Sequence, residues 1–147
     1  VHGCLQIVKK PQNSKEMSAD LSYDANLFFI AGTKGDLEGA KKLVEEKKVN
    51  LKVTDGLDRS ALHHAGHVDI IKWLAIECKM DPNTPDISGF TPLHWACMRG
   101  RLDVVKWLVT EAKADLYCKD KQGRAPLEFT DDLDIIEWLA PRMNKND

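Results

Sequence analysis

Gly89-Phe90-Thr91-Pro92-Leu93-His94-Trp95-Ala96-Cys97-Met98-Arg99-Gly100 reads as one short helix with both ends marked. Thr91 offers a hydroxyl to the N–H groups of a first turn, and Pro92 occupies the first helical position, where its missing N–H costs nothing. Small Ala96 lets a second helix come close, and Gly100 can take the left-handed conformation that ends a helix. Directly after it, Leu102-Asp103-Val104-Val105-Lys106-Trp107-Leu108-Val109 turns only Asp103 and Lys106 outward. An apolar face that broad cannot be covered by a single partner helix, so neighbouring units must stack on it.

The second helix recurs. Gly66-His67-Val68-Asp69-Ile70-Ile71-Lys72-Trp73-Leu74 and Leu133-Asp134-Ile135-Ile136-Glu137-Trp138-Leu139 repeat it, and Gly35-Asp36-Leu37-Glu38-Gly39-Ala40-Lys41-Lys42-Leu43 is a weaker copy. Glu38, Asp69, Asp103 and Asp134 share one place, 31, 34 and 31 residues apart, and a period near ~33 marks a stacked repeat. Acids that recur with the fold are helix-start residues at the positive end of a helix dipole, not a catalytic carboxylate pair.

Thr91-Pro92-Leu93-His94-Trp95-Ala96 carries the T-P-L-H-x-A signature, and over residues 26 to 140 the chain resembles the ankyrin-repeat family. The resemblance implies an all-α solenoid of about four stacked helix-turn-helix repeats joined by β-hairpin-like loops. The repeats fall at about 26–54, 55–85, 86–119 and 120–143, in a domain spanning 22–143. Residues 1–21 are expected to be a linker or arm and 144–147 a polar tail. Asp55, Asp86 and Asp120 match in the hairpins. Gly89 and Gly123 match at a second hairpin place, which Asp58 takes in repeat two. His63 and His94 match the family histidine that bonds to neighbouring backbone.

From Leu93 to Asp103 is 10 residues, whereas from Leu62 to Asp69 and from Leu127 to Asp134 it is 7. The loss is close to one helical turn of ~3.6 residues, so the first helix of repeats two and four is expected to be cut short. The second helix (helix B, the first being helix A) should keep its length. Trp73, Trp107 and Trp138 then form a ladder packed between repeats, and Pro141 reads as a stop.

Composition narrows the function. Among 147 residues, 21 Lys and Arg face 23 Asp and Glu for a net charge of -2, with no single-sign arm to suit nucleic acid. There is no apolar run of the ~18 residues a membrane span needs. The chain lacks an initiator Met, which points to a piece of something longer. Cys4, Cys78, Cys97 and Cys118 form no CxxC pair, which favours a reducing cytoplasmic or nuclear setting. No nucleophile elbow, phosphate loop or dinucleotide fingerprint occurs, so neither an enzyme nor a cofactor is expected. His63 and His67 are four apart, but Gly66 breaks the helix such a metal pair would need.

The resemblance places partner-facing residues on the hairpins and the exposed end of helix A. Here these are Leu57, Arg59, Ile87, Ser88, Phe90, Met98, Arg99, Lys121, Gln122 and Arg124. It implies a non-catalytic, monomeric module whose partner is another protein, gripped mainly by repeat three; Trp95 can look partly into the same groove. Leu93-His94-Trp95-Ala96-Cys97, with Arg99-Gly100, also resembles the ankyrin tails of long acyl-CoA-binding proteins. That alternative puts a lipid-carrier domain upstream.

Overall fold

The computed structural model describes residues 14–144, with side chains from Tyr23 onward. Repeat one comprises α1 (Ser14–Lys34) and α2 (Leu37–Glu46). Repeat two has α3 (Ala61–His64) and α4 (Val68–Lys72), which continues as a π-wound turn, Trp73–Glu77. Repeat three has α5 (Pro92–Met98) and α6 (Leu102–Thr110). Repeat four pairs a 3₁₀ turn (Pro126–Phe129) with α7 (Leu133–Asn144). No strand occurs among the described residues, and the architecture is the expected all-α solenoid.

The shortened helices lie where the missing residues placed them. The first helix spans 4 residues in repeat two and 4 in repeat four, against 7 in repeat three. The second helices keep their length and carry Glu38, Asp69, Asp103 and Asp134 in their first turns. In repeat three, Gly100 takes φ +67° and the Arg101 N–H returns to the Ala96 carbonyl at 3.1 Å, ending α5 as its glycine foretold.

Two boundaries differ from the sequence reading. Residues 14–21, within the stretch read as a linker or arm, belong to α1, since the run from Ser14 to Ala31 contains neither glycine nor proline. The rest of that stretch, residues 1–13, lies outside the described residues. Pro141 does not stop α7, which runs on to Asn144. Proline removes one intrahelical bond there, and side chains hold the last turn: Arg142 donates to the Trp138 carbonyl at 2.6 Å and the Tyr117 hydroxyl to the Met143 carbonyl.

Helices of successive repeats share one core, in which Phe28, Leu62, Ile70, Leu74, Leu93, Leu108, Ile135 and Leu139 are fully buried. Trp73 and Trp107 are 5% and 8% exposed. Trp138 is only half-buried, its ring covered by the Arg142 guanidinium 3.7 Å from the centroid. The ladder is therefore core at two rungs and partly solvated at the third.

The hairpins repeat a single device. The N–H groups of Asp55, Asp86 and Asp120 donate to the carbonyls of Arg59, Phe90 and Arg124, four residues on, at 3.1, 2.8 and 2.9 Å. Each turn needs a left-handed residue, supplied by Asp58, Gly89 and Gly123 at φ 59°, 82° and 79°. Adjacent hairpins are joined directly, because Ile87 N–H donates to the Leu57 carbonyl and Lys121 N–H to the Ser88 carbonyl, both at 3.0 Å.

Three outcomes test this packing by thermal or denaturant unfolding. Trp107→Ala should cost about 3–5 kcal/mol. Gly89→Ala places a Cβ 2.9 Å from the Lys121 nitrogen at positive φ and should cost about 1–3 kcal/mol. Asp58→Gly relieves the same conformation and should be neutral within about 1 kcal/mol.

Candidate functional site

Each hairpin aspartate is consumed by its own loop. Asp55 Oδ1 accepts the N–H groups of Leu57 and Arg59, Asp86 Oδ1 those of Ser88 and Phe90, and Asp120 Oδ1 those of Gln122 and Arg124, all at 2.8–3.0 Å. The second oxygen reaches the surface residues. Asp55 Oδ2 takes Arg59 Nε at 2.7 Å and His64 Nε2 at 2.9 Å, and Asp120 Oδ2 takes the Arg124 guanidinium. In repeat three the corresponding place holds Phe90, so Asp86 Oδ2 accepts the Trp95 indole N–H at 3.0 Å instead. Burial would raise the Asp55 carboxyl, but the backbone N–H groups of Arg59 and Leu57, then His64 and the Arg59 side chain, outweigh it and hold it at about 2.

Between hairpin and helix stands a fully buried imidazole. His94 Nδ1 accepts from the Thr91 N–H at 3.1 Å, so it carries no proton, and Nε2–H therefore donates to the Arg124 carbonyl at 3.0 Å. His63 does the same between the Ser60 N–H, at 3.1 Å, and the Phe90 carbonyl, at 2.9 Å. The hydroxyls of Ser60 and Thr91 also turn to these Nδ1 atoms. Both rings are neutral Nε2–H tautomers, and burial pushes both below the ordinary 6.5, against the opposing pull of the carbonyls. His64 is also lowered by burial, so at neutral pH it meets Asp55 as a neutral donor. His63 lies in α3, whereas His67 is the extended residue that precedes α4, and the described residues contain no group of three His, Cys, Asp or Glu side chains able to hold a metal.

The ten residues read from the sequence divide in two. Leu57 and Ile87 are 50% and 52% exposed, and Ser88, Lys121 and Gln122 are exposed beside them on the joined hairpins. Arg59, Phe90, Met98, Arg99 and Arg124 are half-buried. Phe90 is not a free apolar tip; it packs edge-on against Trp95 and Phe129, with centroids 5.9 and 5.2 Å away. Trp95 is the hub of this face, with the guanidinium carbons of Arg59 and Arg99 each 5.2 Å from its centroid.

Sequence reasoning missed a groove of about 780 Å³ between α1 and the repeat-two hairpin, lined by Phe29, Ile30, Lys34, Leu57, Arg59 and His64 among others. The weak first repeat hid its α1 wall. It also missed Phe129 and His64, although both stand two residues after the leucine of helix A, as Trp95 does.

The family model described as ankyrin repeats (three copies) matches residues 27–120 and 66–147. The chain belongs to the ankyrin-repeat family. Among curated ankyrin-repeat relatives, the Dictyostelium discoideum protein named 26S proteasome non-ATPase regulatory subunit 10 is 36% identical over 69 residues, 45% of this chain and 30% of that protein. Protein phosphatase 1 regulatory subunit 27, from Homo sapiens and from Mus musculus, is 32% identical over 95 residues, 60% of this chain and 61% of each relative. The chain thus spans less than two thirds of the length of these relatives. Ankyrin repeats and relatives named as regulatory subunits support a protein-interaction module, and no helix among the described residues is long and apolar enough to cross a membrane.

The two imidazoles give a pH dependence with a definite sign. Their folded-state values are depressed, so the unfolded chain takes up protons first as pH falls below 6.5, and stability is lost in that direction. Denaturant midpoints should be higher near about pH 7.5 than near about pH 5.5. Asp55 adds a second loss between 3.8 and about 2. An unchanged midpoint between the first two conditions would show that the histidines are not buried neutral. His94→Ala strands the Thr91 N–H and the Arg124 carbonyl and should cost about 3 kcal/mol in the same assay.

Proposed function

We propose that this chain is a non-catalytic module that presents its joined hairpins and the end of helix α5 to a partner protein, as a monomer in the cytoplasm or nucleus. Leu57, Arg59, Ile87, Ser88, Phe90, Met98, Arg99, Lys121, Gln122 and Arg124 form the contact. The observation that carries the reading is the pair of hydrogen bonds between hairpins, from Ile87 to Leu57 and from Lys121 to Ser88. They hold two exposed apolar tips in a fixed row on a backbone already ordered. A pre-organised surface avoids the entropy of ordering loops on contact, and exposed apolar side chains framed by arginine and aromatic groups have the composition of an interface centre. The relatives' names as regulatory subunits agree with a role exercised by contact. For the acyl-CoA-carrier alternative, the support is the Leu93–Gly100 resemblance, and no structural feature adds to it.

Affinity purification with the full chain, followed by direct titration of the recovered protein, tests the reading. Leu57→Asp and Ile87→Asp should each weaken binding by about 1 kcal/mol or more while leaving the melting curve in place. Phe90→Ala should weaken binding too, but it also lowers stability through its contacts with Trp95 and Phe129. A partner indifferent to both aspartate substitutions would rule out this face.

A further inference from the structure

Arg59 and Arg124 each have an aspartate within 3 Å, at 2.7 and 2.9 Å respectively. Arg99 stands on the same face without one. Its guanidinium is half-buried, donates through one nitrogen to the His63 carbonyl at 2.7 Å, and lies over Trp95. No carboxylate among the described residues pairs with it. Arg59 shares the Trp95 ring, so two like charges are gathered around one indole. Asp55 and Asp86 cannot compensate, because their oxygens already accept from their own hairpins and from Arg59, His64 and Trp95. A guanidinium has five donors in a planar fork suited to a carboxylate, and Arg99 has committed one nitrogen. Arg59 also lines the groove beside Ile30 and Leu57, which are 47% and 50% exposed. A charged and an apolar subsite are therefore contiguous.

Resting on the binding face proposed above, we infer that the partner supplies an extended segment with an aspartate or glutamate that pairs with Arg99 beside Trp95 and Arg59, followed or preceded by an apolar side chain that enters the groove between Ile30 and Leu57. Charge complementarity selects the occupant. A basic segment would meet unpaired positive charge, and a wholly apolar one would leave the guanidinium desolvated and unpaired.

A library of random peptides displayed on phage, selected on the full chain, supplies the probe. Recovered peptides should be enriched in Asp or Glu next to Leu, Ile, Val or Phe. A fluorescein-labelled recovered peptide should bind about tenfold more tightly than its Asn or Gln counterpart, with the difference shrinking as salt rises. Arg99→Gln should abolish the preference for the acid over the amide peptide, and Arg99→Lys should restore part of it. Equal binding of acid and amide peptides by the unsubstituted protein overturns the inference, and so does a preference that survives in Arg99→Gln. Should Arg99→Gln fail to fold by circular dichroism, the acid-to-amide comparison on the unsubstituted protein decides. Tight binding of a phosphoserine peptide with none of the carboxylate form also overturns it. Peptides that lack the acid preference yet are lost on Leu57→Asp or Ile87→Asp would sink this inference and leave the binding face standing. Peptides insensitive to those changes, or a library that yields no binder, would sink both.

Discussion

A neutral imidazole with both nitrogens occupied is what the stack depends on. His63 and His94 each accept from the backbone N–H of the residue that caps their own helix, Ser60 or Thr91, and donate to a carbonyl in the following hairpin. One ring thereby fixes a helix start and an inter-repeat distance together. A neutral imidazole offers one acceptor and one donor on opposite edges of a rigid ring. The aspartate loops, the joined hairpins and the tryptophan core all presuppose the spacing those rings set. Buried polar groups are satisfied throughout the described region, which has no buried side-chain nitrogen or oxygen without a partner.

Much of this was legible because each repeat solves the same local problem. The acids at 38, 69, 103 and 134 gave the period, Thr91 and Pro92 the helix start, and a count of residues between Leu62 and Asp69 the missing turn. What could not be read were features set by neighbours. Trp138 carries the same letter as Trp107, but its burial depends on what stacks against it, and there Arg142 does so. Phe90 looks like an exposed hairpin residue until Phe129 arrives from the next repeat. Pro141 breaks the helical rule locally, while Tyr117, 26 residues away from the carbonyl it binds, helps to hold the turn beyond it. The groove escaped notice because α1 lacks the signature that would have aligned it.

The uneven helix lengths connect fold to function. In repeat two α3 is a single turn, and its His63 carbonyl accepts from Arg99, which caps the longer α5 and belongs to the three residues that repeat two lacks. The same side chain that closes a gap in the scaffold consequently lies on the face where a partner would land. Repeat three is both the best match to the family and the place where departures of its neighbours are made good.

Repeat four puts Glu128 where repeats two and three have histidine, and its carboxylate accepts the Ala125 N–H. An ionised carboxylate can take a proton donor but has none to give. The bonding sense that runs from His63 to the third hairpin and from His94 to the fourth is therefore not passed on by Glu128, much as a link without a free valence passes on no bond. Any loop packed beyond repeat four would find no donor at residue 128, so a designer wishing to carry the histidine pattern onward would have to begin there.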